Sequence, residues 1–355
     1  MDSLNVLFVC QSYPPQAGGL ARAGQRISSH LEPHCSSLKR LVLDASLAPA
    51  QAVEQAGLIR LGPMPEEEET LQLVEQLVAH LEPLDLVHAF YAGPLAAAAV
   101  AGALRAGKPS LVSLRGNDLD RGFYRAKGAS LLSWLVGHAT ALSCVSREQV
   151  NKLRLWFDRP DGVFIANSVD GDLFYPDQPL EDLGEGPIVL FSGEMRWKKG
   201  LPLVLELADQ FQIVLAGGVR GPEKRLLRQQ APKVKILDYQ HDDAWLRRLY
   251  CRADVVWLPA FWEGMPNALL EAMACGRPVL ANRVGGVADL ISAENGWTLG
   301  LNESHLHAER IQEILDHPGP RGARARQYVL ENHRPAQETR AYLDLYSRCN
   351  ASWKR

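Results

Sequence analysis

The sequence predicts an α/β protein made of two doubly wound, Rossmann-like domains joined by one linker. Three observations carry this. Short apolar runs alternate with longer segments of helical periodicity, as in consecutive βαβ units. The alternation comes in two series, separated by Pro176-Asp177-Gln178-Pro179 and an acidic stretch over 181–185 that together read as an interdomain linker. The chain has 355 residues, enough for two domains that each bury a core.

In the first series, residues 6–10, 41–43, 58–61, 84–87, 110–114 and 141–145 read as strands. They are mostly apolar, as parallel strands covered on both faces should be. A helix is predicted over 67–81, with Leu71, Val74, Leu77, Val78 and Leu81 on one side. Glu66 to Glu69 stand at its start, where each acidic residue is favourable by roughly 0.3–1 kcal/mol, so they read as helix-terminal rather than as a metal or partner site. Ala96 to Ala99 form a good helix that can pack closely. In the second series the strands are 188–191, 213–216, 234–237, 255–258 and 278–281, and 323–346 is helical on both sides of a break at Pro335. The expected domains are therefore 1–178, 179–330, and a C-terminal helix over 331–355 that returns to the N-terminal domain. Ligands bind such sheets beyond the carboxyl ends of their strands, here in a cleft between the domains.

Composition narrows the function classes. The chain is 46% hydrophobic and 22% charged, ordinary for a soluble protein, and its net charge of −3 gives no pull toward nucleic acid. The six cysteines include no C-x-x-C pair, so neither a zinc site nor a disulfide framework is read from them, and reduced thiols are expected. The run 6–10 is too short for a signal peptide. The longest apolar stretch, 131–145, is broken by Ser133, Gly137, His138 and Thr140 and is no membrane span. A cytoplasmic protein is expected, with at most peripheral contact at the inner membrane face. Arg121, Arg125 and Lys127 beside Phe123 and Tyr124 could make that contact, or meet an anionic acceptor, or simply be solvated.

The motif with the most chemistry is Glu263-Gly264-Met265-Pro266-Asn267-Ala268-Leu269-Leu270-Glu271, continued by Ala272-Met273-Ala274-Cys275-Gly276. It follows a strand, and Pro266 and Asn267 suit a helix start. Glu263 then lies in the loop before the helix and Glu271 on its second turn. Backbone N–H groups between them offer a phosphate site. The two carboxylates can accept hydrogen bonds from hydroxyls of a sugar and a ribose, which orient a polyol because a buried hydroxyl left unpaired is costly. The plainer reading is a capped helix with solvated acids.

This E-x7-E element, with E-A-M-A-x-G-x-P-V after it and then Val284-Gly285-Gly286, resembles the retaining family 4 glycosyltransferases of the GT-B fold, the glycosyl transferases of group 1. The resemblance runs through most of the chain. Ser12-Tyr13-Pro14-Pro15-Gln16-Ala17-Gly18-Gly19 matches the family's first strand–loop. Asn167-Ser168-Val169-Asp170, with Phe174 and Pro176, resembles the element before its linker. Gly193-Glu194-Met195-Arg196-Trp197-Lys198-Lys199-Gly200 resembles its basic loop.

The resemblance implies transfer of a hexosyl-type group from a nucleoside diphosphate sugar, UDP- or GDP-linked, to a hydroxyl of a glycan, a lipid-linked acceptor or a small molecule. It implies retention at the anomeric carbon and neither metal nor cofactor. Gly18 and Gly19 would let the first loop approach the donor phosphates. Arg196 and Lys199 would neutralise the departing diphosphate. Glu263 would contact the transferred sugar, with Gly264, Met265, Pro266, Asn267 and Ala268 beside it, and Glu271 would hold the ribose. Glu263, Arg196 and Lys199 are the catalytic candidates.

The chain departs from the family pattern in two places. Where the family often has an arginine directly after the glycine of the basic loop, Glu194 stands, and Arg196 is inferred to substitute. Where it often has His-Gly before an acidic residue, the segment is Leu114-Arg115-Gly116-Asn117-Asp118. Arg115, Asn117 and Asp118 become acceptor-side candidates, pointing to an acidic acceptor or a second phosphate clamp. The plainer reading is a structural turn. The triplets Asp118-Leu119-Asp120 and Asp170-Gly171-Asp172 could hold a metal in another transferase fold, but neither neighbours the basic loop in sequence, and a helix start with Arg196 and Lys199 can supply the same electrostatics. Among Trp134, Trp156, Trp197, Trp257 and Trp262, only Trp262 is assigned to the site. Two other functions stay open: a nucleotide-sugar epimerase or phosphorylase on the same scaffold, and a non-catalytic sugar-nucleotide-binding subunit. A glycoside hydrolase fits less well, because the two glutamates flank a phosphate-type helix start.

Overall fold

The computed structural model describes residues 4–353 except Ala17, Asn117, Arg125 and Asp182. The chain divides into two compact units, Met1–Ala166 with Glu338–Arg355, and Asn167–Gln337.

The first unit holds one sheet of β1 (Asn5–Cys10), β2 (Ser37–Leu43), β3 (Ala52–Gln55), β4 (Leu58–Leu61), β5 (Leu86–Phe90), β6 (Ser110–Leu114), β7 (Ala141–Cys144) and β8 (Val163–Phe164). Their order is β3-β4-β2-β1-β5-β6-β7-β8, parallel except for the antiparallel β3–β4 pair. Six helices follow the strands: α1 (Gly19–Leu31), α2 (Glu67–His80), α3 (Pro94–Arg105), α4 (Asp118–Phe123), α5 (Ala126–His138) and α6 (Arg147–Phe157). Alternation along β1 explains the layering. Val6, Phe8 and Cys10 pack with Ala23, Ile27 and Leu31 of α1, while Leu7 and Val9 pack with Val74 and Val78 of α2 and Ala98 and Ala99 of α3. Both faces are covered, so the strand is a continuous apolar run. The acidic residues Glu67, Glu68 and Glu69 occupy the first turn of α2.

The second unit repeats the plan with β9 (Ile188–Ser192), β10 (Gln212–Ala216), β11 (Lys235–Leu237), β12 (Val255–Leu258), β13 (Val279–Asn282) and β14 (Trp297–Leu299). They form an all-parallel sheet of order β11-β10-β9-β12-β13-β14. Its helices are α7 (Leu201–Leu207), α8 (Gly221–Gln230), α9 (Asp243–Arg252), α10 (Asn267–Ala274), α11 (Val287–Leu290), α12 (His307–Asp316) and α13 (Arg321–Asn332). The last helix, α14 (Pro335–Trp353), starts at a proline, whose missing N–H costs nothing at a first helical position. From Glu338 onward it belongs to the first unit, where Tyr342, Leu345, Tyr346 and Cys349 join the α1 side of the core.

Three expectations are corrected. The units part after Ala166, not after 178. Asn167 Nδ2 donates to the Met265 carbonyl at 2.7 Å and the Val169 N–H to the His333 carbonyl at 2.8 Å, which ties residues 167–178 to the second unit. The return to the first unit begins at Glu338 rather than 331. The strand expected over 84–87 is Leu86–Phe90, because His88 interrupts the apolar run yet is fully buried with both ring nitrogens hydrogen-bonded.

Candidate functional site

The second unit gathers the motif residues at the carboxyl ends of β9 and β12. After β9 the chain runs through a loop stitched to the end of β10, with Gly193 N–H donating to the Ala216 carbonyl at 2.6 Å and Met195 N–H to the Gly218 carbonyl at 3.0 Å. A 3₁₀ turn over Trp197–Lys199 then presents Lys199. After β12 the backbone meets that turn, Phe261 N–H donating to the Lys198 carbonyl at 2.9 Å. This brings Lys199 Nζ onto Glu263 Oε1 across 64 residues of sequence, with the side chains 25% and 10% exposed. The predicted partners of the sugar and the diphosphate are thus an ion pair. Trp262, directly before Glu263 in the chain, is exposed.

The Glu263 loop is seated by the glycine pair that follows β13. Gly285 has φ +50, and a Cβ there would run into the Glu263 carbonyl. Gly286 donates its N–H to the Gly264 carbonyl at 2.5 Å. Only glycine permits both the conformation and the approach. The other side of the loop is held by Asn167, whose Nδ2 reaches the Met265 carbonyl and also Asn267 Oδ1 at 3.0 Å. Helix α10 begins after Pro266, and no side chain caps it. The Leu269 and Leu270 N–H groups donate to the Pro266 carbonyl at 3.2 and 3.4 Å, and the positive end of the helix dipole favours an anion in front of this first turn. One turn further on, Glu271 Oε2 accepts from the Tyr250 hydroxyl at 2.8 Å, and Ser192 Oγ lies 2.9 Å from that hydroxyl. Burial, then the Glu271 charge, raise the Tyr250 phenol well above its ordinary pKa.

Arg196 lies in the same turn, but its guanidinium goes to Glu194 Oε2, and Glu194 Oε1 accepts from Arg220 Nε at 2.7 Å. Glu194, the residue that breaks the family pattern, therefore bridges two arginines of adjacent loops.

Two family descriptions match the chain: "Glycosyl transferase 4-like domain" over residues 6–167 and "Glycosyl transferases group 1" over residues 186–317. Together they span most of it. The chain belongs to the group 1 glycosyl transferases. It is 30% identical over 241 residues to a putative teichuronic acid biosynthesis glycosyltransferase of Bacillus subtilis, covering 64% of this chain and 60% of that protein. It is 29% identical over 222 residues to a D-inositol 3-phosphate glycosyltransferase of Xylanimonas cellulosilytica, covering 54% of this chain and 53% of that one. Among solved structures it resembles sucrose-phosphate synthase from Thermosynechococcus elongatus, with a TM-score of 0.81 at 20% identity over 98% of this chain and 100% of that one. It also resembles Anabaena HepE in complex with UDP-glucose, with a TM-score of 0.80 at 17% identity over 97% and 99%. The fold is GT-B.

In this group 1 chain the first-unit candidates are engaged internally. Gly18, with φ +126, precedes α1, and Gly19 is that helix's first residue. Arg115 Nη1 donates to the Tyr342 hydroxyl at 3.0 Å, its guanidinium stacks 4.7 Å from the Phe90 ring centre, and Nη2 lies 3.9 Å from Glu338 Oε1, with both charged side chains under 5% exposed. Arg26 pairs with the same Glu338 at 3.1 Å. Asp118 accepts from the N–H groups of Ala92, Arg115, Gly116 and Leu119 at 2.9–3.2 Å. Burial raises its pKa, against those hydrogen bonds. So the Arg115 guanidinium faces α14 and the Asp118 carboxylate closes its own loop, rather than opening toward an acceptor. Asn117 lies outside the described residues. Of the D-x-D triplets, Asp120 pairs with Lys152 at 2.7 Å, and Asp170 accepts from the N–H groups of Asp172 and Leu173. Among the described residues no three His, Cys, Asp or Glu side chains are grouped as metal ligands, and no helix is long and apolar enough to cross a membrane. Phe123 stacks on Trp156 at 4.6 Å, and Tyr124 is exposed.

Sequence reasoning missed Tyr250, Ser192 and the structural use of Asn167 and Glu194. Tyr250 sits in the helical pattern of α9 as an ordinary core position, and nothing in local spacing links it to Glu271.

Proposed function

We propose that the chain transfers a glycosyl group from a nucleoside diphosphate sugar, UDP- or GDP-linked, to an acceptor hydroxyl, with retention and without a metal or cofactor. The observation that carries this is the Lys199–Glu263 pair beside an uncapped helix start that also bears Glu271, all at the strand ends of one parallel sheet. UDP-glucose in the similarly folded Anabaena protein supports a donor of this class.

In this reading the α10 amides and Lys199 take the diphosphate, Glu263 accepts from a hydroxyl of the transferred sugar, and Glu271 accepts from the ribose. The Gly264–Ala268 backbone shapes the sugar end. Arg196, which shares Glu194 with Arg220, is the second cation of the same loop. The anomeric carbon–oxygen bond to the β-phosphate breaks and a bond to the acceptor oxygen forms on the same face. The acceptor's proton passes to the departing phosphate oxygen. Catalysis is then positioning and leaving-group stabilisation. The acceptor is a glycan, a lipid-linked molecule or a small molecule, and any membrane contact is peripheral.

Glu263→Gln and Lys199→Ala test this. Each is expected to lower transfer roughly 10²–10³-fold, the usual effect of removing one preorganised electrostatic group. Wild-type turnover in both folded variants would overturn the assignment.

A further inference from the structure

Resting on the reading that Glu271 holds the donor ribose, we propose that Tyr250 is a positioning residue for that ribose, fixing the Glu271 carboxylate through its hydroxyl. Three elements meet at one point: Ser192 at the end of β9, Tyr250 on α9 and Glu271 on α10. Tyr250 is fully buried, with the Phe174 ring edge-on at 6.2 Å. Its hydroxyl has one proton and two neighbours, at 2.8 and 2.9 Å. A carboxylate can only accept, so the proton goes to Glu271, and the Ser192 hydroxyl donates to the phenol oxygen. The phenol stays protonated because burial and Glu271 both disfavour its ionised form. With Glu271 ionised, the relay runs one way, Ser192 to Tyr250 to Glu271.

A carboxylate on a half-buried helix turn can adopt more than one rotamer, and holding one of its oxygens removes that freedom before a ligand arrives. Tyr250 is thus chemically distinct from the core aromatics around it. A phenylalanine would fill the same space and bury the same ring, and only the hydroxyl would be lost.

The test measures binding of UDP and GDP, and of their 2′,3′-dideoxyribose analogues, to wild type, Tyr250→Phe, Glu271→Gln and the double variant, with melting temperatures alongside. Tyr250→Phe is expected to weaken binding of the native nucleotide about tenfold, as for a hydrogen bond to a charged group. It should leave the dideoxy analogue unchanged and add nothing in the Glu271→Gln background. If Glu271→Gln binds the native nucleotide as wild type does, or neither nucleotide binds wild type, the ribose reading fails. If Glu271→Gln weakens binding and Tyr250→Phe does not, that reading stands and the positioning role is overturned. Equal weakening of native and dideoxy nucleotides by Tyr250→Phe would likewise overturn it, reducing the tyrosine to a packing residue.

Discussion

The two units share a sheet plan but use the polar residues at their strand ends differently. In the first unit, His88, Ser113, Ser143, Tyr342, Tyr346, Arg115 and Glu338 form one buried chain of hydrogen bonds and ion pairs. In the second, Glu263 and Glu271 flank the start of α10, Lys199 reaches Glu263 from a 3₁₀ turn, and the Lys199–Glu263 pair is partly exposed. The first arrangement closes a core around a returning helix, and the second presents charge and N–H donors beyond the sheet. The difference teaches that a parallel sheet's carboxyl end is not a binding site by position alone. What decides is whether its polar groups satisfy one another or a ligand.

The largest expected effect would break this contrast if it fell in the wrong unit. Arg115→Ala removes one of the cations beside the buried Glu338 and the donor to the Tyr342 hydroxyl, so unfolding should become easier by about 3 kcal/mol, as when one partner of a buried pair is removed. UDP affinity of the folded variant should stay at the wild-type value. Lys199→Ala, whose pair is partly exposed, should shift the unfolding midpoint by less than about 1 kcal/mol while abolishing most nucleotide binding. Denaturant titrations with binding isotherms read both. A reversed pattern would exchange the roles of the two regions.

A graded effect, about 1.4 kcal/mol at each step, concerns pH. Burial, then the Arg115 charge, push His88 down from 6.5 to about 3. The unfolded chain binds this proton below 6.5 and the native chain does not until about 3. Stability from this site is therefore complete above pH 6.5 and falls as pH drops toward 3, by about 1.4 kcal/mol per pH unit. His88→Gln should lack that slope, measured as the pH dependence of the urea midpoint. Parallel slopes in the two proteins would show that His88 is charged in the native state.

The smallest effect is chemical. Cys251, beside Tyr250 on α9, is held at about 6 by a hydrogen bond from Cys275, and the Asp177 N–H also donates to it at 3.2 Å. Alkylation at Cys251 should follow its thiolate, rising between pH 5 and 7 and then levelling. A rate that climbs only above pH 8 would contradict this.

Most of the fold was legible because its strands are buried on both faces. Strand β6, fully buried, has the limits expected. Strand β3 was not legible, because all four of its residues are exposed at the sheet edge and carry no apolar signal. Strand β14 has three residues and β8 two, too few to show a period. In the candidate site, Glu263 and Lys199 could each be singled out because each stands in a compact, ordered motif, whereas their pairing across 64 residues left no mark in local spacing. Arg115 was read toward an acceptor because its partners, Tyr342 and Glu338, lie more than 220 residues away in sequence. Glu194 looked like a defect in the basic loop until Arg220 on the next loop supplied its second partner.

The central claim is that the segment Glu263–Glu271 holds a nucleoside diphosphate sugar. The most direct measurement is the melting temperature of wild type, Lys199→Ala and Glu271→Gln across a panel of UDP- and GDP-sugars. At a hundredfold excess over Kd, one donor should raise the wild-type Tm by roughly 5 °C and raise both variants far less. No shift with any member of the panel, or the same shift in all three proteins, would contradict the claim.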